Sequence, residues 1–381
     1  MSHILICSYE YGMDSGPEGI CTYRLASALN EKGHKITVIT SDIPFTELTE
    51  GVFRLSTKPL TPKGIIVFIE KVINRLLWSK HNVSWIVRVA RCKDDNYDLI
   101  YGRSMPLMSN IAAWLLSKKL KKPLMLHFSD PPLSPWVKFP AIAFKFAESI
   151  CKRFYNKAIS ITFTTQEAIA YSAKRMGWPA VSKAHVLSHV APDVKRLDFQ
   201  NIQENLFVYA GGIYGKRDPE PLLMAFKSLI EEKPDACLHF YGTKNSQLES
   251  CIEKNALNSN VKIFPFTRDI DSVFSRANVL VALDAFEDEA LFLSTKIIDY
   301  YMVNRPVLLL SPMQSPSSQL SQQFLNTVQV SENNKGKILH SMQVLLNKPI
   351  KDYDFEKRFS EMEKYSVESI VNKFEKIAEI Q

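Results

Sequence analysis

The stretch HILICSYEYGMDSGPEGICTYRLASALNEKGHKITVIT, residues 3–40, holds a strand, a glycine-bearing loop, a helix and a second strand in that order. HILICS and HKITVIT are short runs rich in β-branched and apolar residues, and the segment before HKITVIT has helical period. Gly33 follows the last periodic residue, where glycine accepts the backbone that ends a helix, and His34 reads as the structural start of the next strand. Nearly continuous apolar strands separated by a helix are the unit of a parallel sheet, because such strands are covered on both faces.

The same grammar extends outward. A long helical stretch over 64–92 is followed by strand 98–102, helix 107–120, strand 123–128, helix 140–156, strand 158–163, helix 165–176 and strand 185–188. A second series begins with strand 206–210, helix 219–232, strand 237–241, helix 246–256, strands 261–264 and 279–283, helix 295–303 and strand 306–310. Helices near 332–347 and 355–379 close it. A chain of 381 residues exceeds what one core usually serves. The expected architecture is α/β: two Rossmann-like domains facing an interdomain cleft, with an acceptor-side domain at 1–195 and a donor-binding domain at 196–360. A terminal helix at 361–381 is expected to cross back to the first domain. Ligands of open α/β sheets bind beyond the carboxyl ends of the strands, so motifs there carry the functional reading.

Composition, 46% hydrophobic and 23% charged, is that of an ordinary globular protein. No apolar run approaches the roughly 18 residues of a membrane span, and HILICS follows the first two residues without a leader, so a cytoplasmic location is expected. Six cysteines without a C-x-x-C pair read as reduced packing residues rather than a zinc site. Residues 1–200 carry 27 Lys+Arg against 16 Asp+Glu, and residues 201–381 carry 20 against 24, a balance of +11 beside −4. A basic half suits an anionic surface or substrate. Signatures of nucleic-acid binding are missing, so no nucleic-acid partner is expected.

Three loops follow strand ends. Gly16 and Gly19 stand where the first loop enters its helix, where backbone N–H groups approach a ligand closely and the helix dipole favours an anion; a plain turn is the alternative. In VYAGGIYGKRDPEPLLMAF, residues 208–226, a buried strand runs into Gly211-Gly212, then Lys216 and Arg217, then a helix start capped by Asp218 with Pro219 in the first turn. Arg217 is placed to pair bidentately with phosphate oxygens. In STKIIDYYMVNRPVL, residues 294–308, Ser294 and Thr295 suit a helix N-cap beside a diphosphate, Lys296 adds a cation, and Asp299 one turn on can accept hydrogen bonds from ribose hydroxyls. An ordinary amphipathic helix is the alternative.

Taken in order, Gly33-His34 with its strand, the glycine loop with its cations and LLMA, and Lys296-Ile297-Ile298-Asp299-Tyr300 leading to Arg305-Pro306-Val307 resemble glycosyltransferase family 4 over nearly the whole chain. Asn260-Val261-Lys262-Ile263-Phe264 resembles the family's strand before its base-recognition loop, and Val186-Leu187-Ser188-His189-Val190 its hinge strand. The resemblance implies a GT-B fold, a retaining reaction and a nucleoside-diphosphate sugar as co-substrate, with no cofactor and no metal requirement. It places the family's phosphate-binding Lys on Arg217 and its ribose-binding Glu on Asp299, with the backbone around Phe266 and Thr267 facing the base. Two departures stand out. Gly212 occupies a position where the family often has Arg, so that cation is missing or supplied by Lys216. The first Glu of the Glu-x7-Glu signature falls on Leu291, with Glu287, Asp288 and Glu289 just upstream to take its place near the donor sugar.

On the acceptor side, LMLHFSDPP at 124–132 ends a strand with His127 and Asp130 and resembles the family's H-x-x-D region. His127 is expected to hydrogen-bond the donor sugar, and Asp130 to orient an acceptor hydroxyl or act as a weak base. Residues 54–93 hold nine basic residues against Glu70, with Phe68, Trp78 and Trp85 among them; residues 136–157 hold Lys138, Lys145, Lys152 and Arg153 beside six aromatics. Such segments suit binding in the plane of an anionic bilayer, which places the protein peripherally on the inner face of the plasma membrane with a glycan or lipid-linked acceptor, in cell-surface polysaccharide synthesis. A solvated helix face is the plainer alternative. An epimerase acting on the donor alone and a silent donor-binding protein are the competing functions.

Overall fold

Ile4, Leu5, Ile6 and Cys7 are all fully buried, yet the two faces of this strand go to different cores. Leu5 and Cys7 join Ile100, Leu124, Leu126 and Phe128 in one cluster, whereas Ile4 and Ile6 join Leu99, Tyr101 and Met125 in another. The period of two is present but hidden in the sequence, because both faces are apolar. The structure is a computed structural model describing residues 1–41, 51–58, 68, 71–73, 82–94, 96–104, 107–132, 141–176, 182–243, 245–287 and 290–380.

The chain forms two units, Met1–Val190 with Val367–Gln381, and Ala191–Ser366; the sequence reading put the boundaries at 195 and 360. The first unit contains β1 (His3–Ser8), α1 (Pro17–Glu31), β2 (Lys35–Ser41), β3 (Val52–Leu55), α2 (Asn82–Ala90), β4 (Leu99–Ser104) and α3 (Leu107–Leu120). It continues with β5 (Leu124–Phe128), α4 (Ala141–Lys157), β6 (Ser160–Phe163), α5 (Gln166–Met176) and β7 (Ala184–Val186). Its strands form one parallel sheet in the order β3-β2-β1-β4-β5-β6-β7. The register pairs Ser8 with Arg103, Arg103 with His127 and His127 with Thr162. Three polar side chains therefore stand in a row on one face at the carboxyl ends of β4, β5 and β6.

The second unit contains β8 (Leu206–Ala210), α6 (Glu220–Glu232), β9 (Cys237–Tyr241), α7 (Ser246–Lys254), β10 (Val261–Phe264), α8 (Ile270–Arg276) and β11 (Val279–Leu283). Then follow α9 (Thr295–Tyr301), β12 (Val307–Leu310), α10 (Pro316–Ser321), β13 (Thr327–Val330), α11 (Lys335–Asn347) and α12 (Glu356–Met362). Its sheet is also parallel, in the order β10-β9-β8-β11-β12-β13. Phe207 and Tyr209 face the core under α6 and α11, and Leu206 and Val208 face the core under α9.

The closing helix expected over 355–379 is two helices. Beyond α12 the chain turns through Glu363–Tyr365, Ser366 takes an extended backbone, and α13 runs over Val367–Ala378. The break sits at the boundary between the units, and α13 packs in the first of them. Phe374 meets the Tyr101 ring edge-on at 5.2 Å, and Glu375 Oε1 lies 2.9 Å from His34 Nε2.

Candidate functional site

In the second unit β8 is followed by Gly211, whose φ of 118° favours glycine and where a Cβ would lie 3.3 Å from Lys296 Nζ. Three hydrogen bonds hold the loop: Tyr209 Oη donates to Gly212 O at 2.9 Å, Thr243 Oγ1 to Gly211 O at 2.6 Å, and Asn245 Nδ2 to Ile213 O at 3.1 Å. A fixed glycine loop at a strand's carboxyl end presents backbone closely to a ligand. Above it stand the cations. Arg217 lies 4.3 Å from the Tyr214 ring centroid, and its Nε is buried without a hydrogen-bond partner. Lys216 pairs with Glu287 at 2.9 Å, and the Glu287 side chain is only 11% exposed, so this acid is fixed by that cation.

Lys296 turns back from the start of α9 onto the end of β8. Its Nζ donates to Tyr209 Oη and sits 3.9 Å from the Tyr209 ring centroid. Burial, and then the nearby Arg217, hold its amine well below the ordinary lysine range, against the opposing pull of Asp284. The cation expected of Lys296 is thus weakened where no anion is present. Asp284, at the end of β11, accepts from Ser311 Oγ at 2.9 Å.

Ser294 is the N-cap of α9 as expected, but its side chain makes no capping bond. The helix α6 starts one residue later than expected, at Glu220, so its N-cap is Pro219; Asp218, the expected cap, stands just before it and accepts from Glu220 N at 3.0 Å. Asp299 is half-buried on α9 beside Tyr300, whose Oη accepts from Ala210 N at 2.8 Å and ties the helix to the end of β8. Phe266 is 59% exposed, Thr267 Oγ1 accepts from Asp269 N at 3.1 Å, and Gly242 lies against Phe266. Tyr241 and Phe264 stack at 4.7 Å next to them. Asp288 and Glu289 lie outside the described residues. Leu291 is buried, as an apolar residue at the acidic position implies.

The first unit holds a second polar group. His127 is fully buried in β5, shares a 3.0 Å hydrogen bond between Nδ1 and Thr162 Oγ1, and has no partner at Nε2. Burial, then Arg103, then His189 push its imidazole well below the usual range, so it is neutral. Arg103 Nε lies 2.9 Å from Glu18 Oε1, an ion pair off the hydrogen-bond line. Burial raises the Glu18 carboxyl to about 7 against the pull of Arg103, with Asp130 and Glu10 adding to the rise and Ser129 opposing it. Glu18 thus links the first turn of α1 to the loop after β5 that bears Asp130. Gly19 is buried, and a Cβ there would lie 1.6 Å from Ser15 Oγ, so packing alone requires this glycine. Gly16 is half-buried against the Glu10 carboxylate.

Gly212, Lys216, Arg217, Glu287 and Lys296 are therefore gathered in one unit, and Gly16, Gly19, His127 and Asp130 in the other. Sequence reading missed Tyr209, Asp284, Glu18 and Arg103. For Arg103 a signal existed, since a cation inside the strand LIYGRS needs a buried partner. Among the described residues no group of three or more His, Cys, Asp or Glu is placed to hold a metal ion, and no helix is long and apolar enough to cross a membrane.

Residues 19–190 match the family described as Glycosyltransferase Family 4. No curated protein matches the chain. Among solved structures, Anabaena HepE in complex with UDP and glucose is similar over 99% of this chain and 99% of that chain, at 14% identity and a TM-score of 0.75. A mutant of S. aureus TarM in complex with fondaparinux, α-GlcNAc-glycerol and UDP is similar over 99% and 100%, at 10% identity and 0.73. WaaG, a glycosyltransferase involved in lipopolysaccharide biosynthesis, is similar over 99% and 97%, at 14% identity and 0.61. At these identities the likeness is one of fold.

Proposed function

We propose, from the match of residues 19–190 to Glycosyltransferase Family 4 and from the GT-B fold, that the chain is a glycosyltransferase that transfers a sugar, with retention, from a nucleoside-diphosphate sugar to a glycan or lipid-linked acceptor in cell-surface polysaccharide synthesis. The observation that carries the reading is the meeting of Arg217, Lys296 and the Gly211-Gly212 loop at the carboxyl end of β8. Cations beside a rigid glycine loop suit a diphosphate, whose charge grows as the glycosidic bond to it breaks. Asp299 holds the ribose hydroxyls, and the backbone at Phe266 and Thr267 meets the base. Because HepE is seen with UDP-glucose, a uridine nucleotide is the first donor to test.

Glu287, fixed by Lys216, takes the place of the carboxylate that Leu291 cannot supply. His127 serves the sugar through Nε2, and Asp130 orients the acceptor hydroxyl. The leaving diphosphate assists deprotonation in this reading, so no protein nucleophile is required. The acceptor is met at an anionic membrane through residues 54–93 and 136–157. Ile142 and Phe146, one turn apart on α4, are 75% and 39% exposed, and Lys145, Lys152 and Arg153 are exposed on the same helix. Trp78, Trp136, Lys138 and most of 54–93 beyond Lys58 and before Asn82 lie outside the described residues.

The test is turnover of radiolabelled UDP-, GDP-, ADP- and dTDP-sugars with membranes that supply acceptor. The expected result is label in a lipid- or polysaccharide-bound product from one donor class. Label recovered only as free or isomerised sugar points to the epimerase, and no turnover of any donor points to the silent binder.

A further inference from the structure

Resting on the donor-site reading above, we propose that Lys296 takes up a proton when a nucleoside diphosphate binds, so that donor binding to this protein is coupled to proton uptake from the solvent.

The inference starts from what surrounds Nζ. Lys296 is the second residue of α9, and its side chain is partly accessible, so a ligand at the glycine loop can reach it. Its hydrogen bond goes to Tyr209 Oη, which itself donates to Gly212 O. The amine therefore rests on a neutral hydroxyl and an aromatic face rather than on a carboxylate.

The charged groups facing it can be taken element by element. From the loop before α6 comes Arg217, a like charge; from the end of β11 comes Asp284, bound to Ser311; from α9 itself comes Asp299, one turn on. Glu287, the other acid of this region, is paired with Lys216. Arg217 and Lys296 thus lie close together, and of these acids Asp284 is the one that pulls on the Lys296 amine, less strongly than Arg217 opposes it. A second positive charge in a desolvated place is disfavoured until an anion arrives. The low position of the Lys296 amine agrees with this arrangement.

A diphosphate supplies the missing charge. On binding, the neutral amine R–NH2 takes one proton from the buffer and becomes R–NH3+, while Arg217 keeps its own. By linkage, affinity then falls as pH rises, by up to about tenfold per pH unit where the free amine is neutral. A lysine that stays charged throughout gives no such dependence.

The experiment is calorimetric titration of the full chain with UDP, GDP, ADP and dTDP at pH 8, in buffers of different ionisation enthalpy. At that pH the nucleotide phosphates are already ionised. For whichever nucleotide binds most tightly, the apparent enthalpy is expected to change with buffer, with a slope approaching one proton taken up. Lys296→Arg should bind with no such slope and with affinity flat between pH 7 and 9, and Lys296→Met should bind more weakly and also without slope. Heat of binding with no buffer dependence in the wild type, or a slope that persists in Lys296→Arg, overturns the proposal and leaves the donor site standing. No heat with any of the four nucleotides overturns both.

Discussion

Glu18 ties three pieces of the first unit together, since it sits in the first turn of α1, just after the glycine loop, pairs with Arg103 at the end of β4 and is flanked by Ser129 and Asp130 after β5. Burial raises its carboxyl from 4.5 to about 7. A raised carboxyl means that between those values the native state holds a proton that the unfolded chain has lost, so this group lowers stability as pH rises through the window. Glu18→Gln removes that slope. Relative to wild type the variant should gain about 1.4 kcal/mol of stability per pH unit between pH 4.5 and 7, and nothing further above it. All five tryptophans, Trp78, Trp85, Trp114, Trp136 and Trp178, lie in the first unit, so denaturation followed by tryptophan fluorescence reads this unit alone. A difference that does not change with pH would mean Glu18 is ionised throughout. Neither Glu18 nor its pairing with Arg103 was legible in the sequence. Arg217, Lys296 and Asp299 were, because they follow strand ends at spacings a resemblance could anchor, whereas Glu18 and Arg103 meet only once strands 95 residues apart are paired in register.

Strands buried on both faces, such as β1, β8 and β11, were read from their apolar runs to within a residue or so. The elements missed, β3, α8, α10 and β13, span four to seven residues each and are too short for periodicity to show. The fusion of α12 and α13 into one expected helix has another cause. Phe359, Met362, Ile370 and Phe374 continue a plausible apolar stripe, and no Gly or Pro marks the change of unit at Ser366. Since α13 covers the first sheet, Phe374→Ala should destabilise that unit by about 3–5 kcal/mol, again by tryptophan fluorescence; a loss under 1 kcal/mol would mean that α13 does not contribute to that core. On α4, Ile142→Asp together with Phe146→Asp should release the protein from anionic vesicles in co-sedimentation at low salt, because an apolar face beside lysines binds by insertion as well as by charge. Recovery equal to wild type would assign that helix face to solvent.

Over the whole molecule the charge is divided, +11 in residues 1–200 and −4 in the rest. The basic share falls where a membrane-bound acceptor is proposed, and the donor cations stand in the half where acids outnumber bases, 24 to 20. Binding of the donor should therefore depend on a few named residues and not on the general field of the protein. The most direct measurement is calorimetric titration of wild type, Arg217→Ala and Asp299→Ala with UDP, GDP, ADP and dTDP. The account predicts that one nucleotide binds the wild type and that each substitution weakens it by about 1–3 kcal/mol, roughly five- to 150-fold in Kd. Unchanged affinity in both folded variants would contradict it.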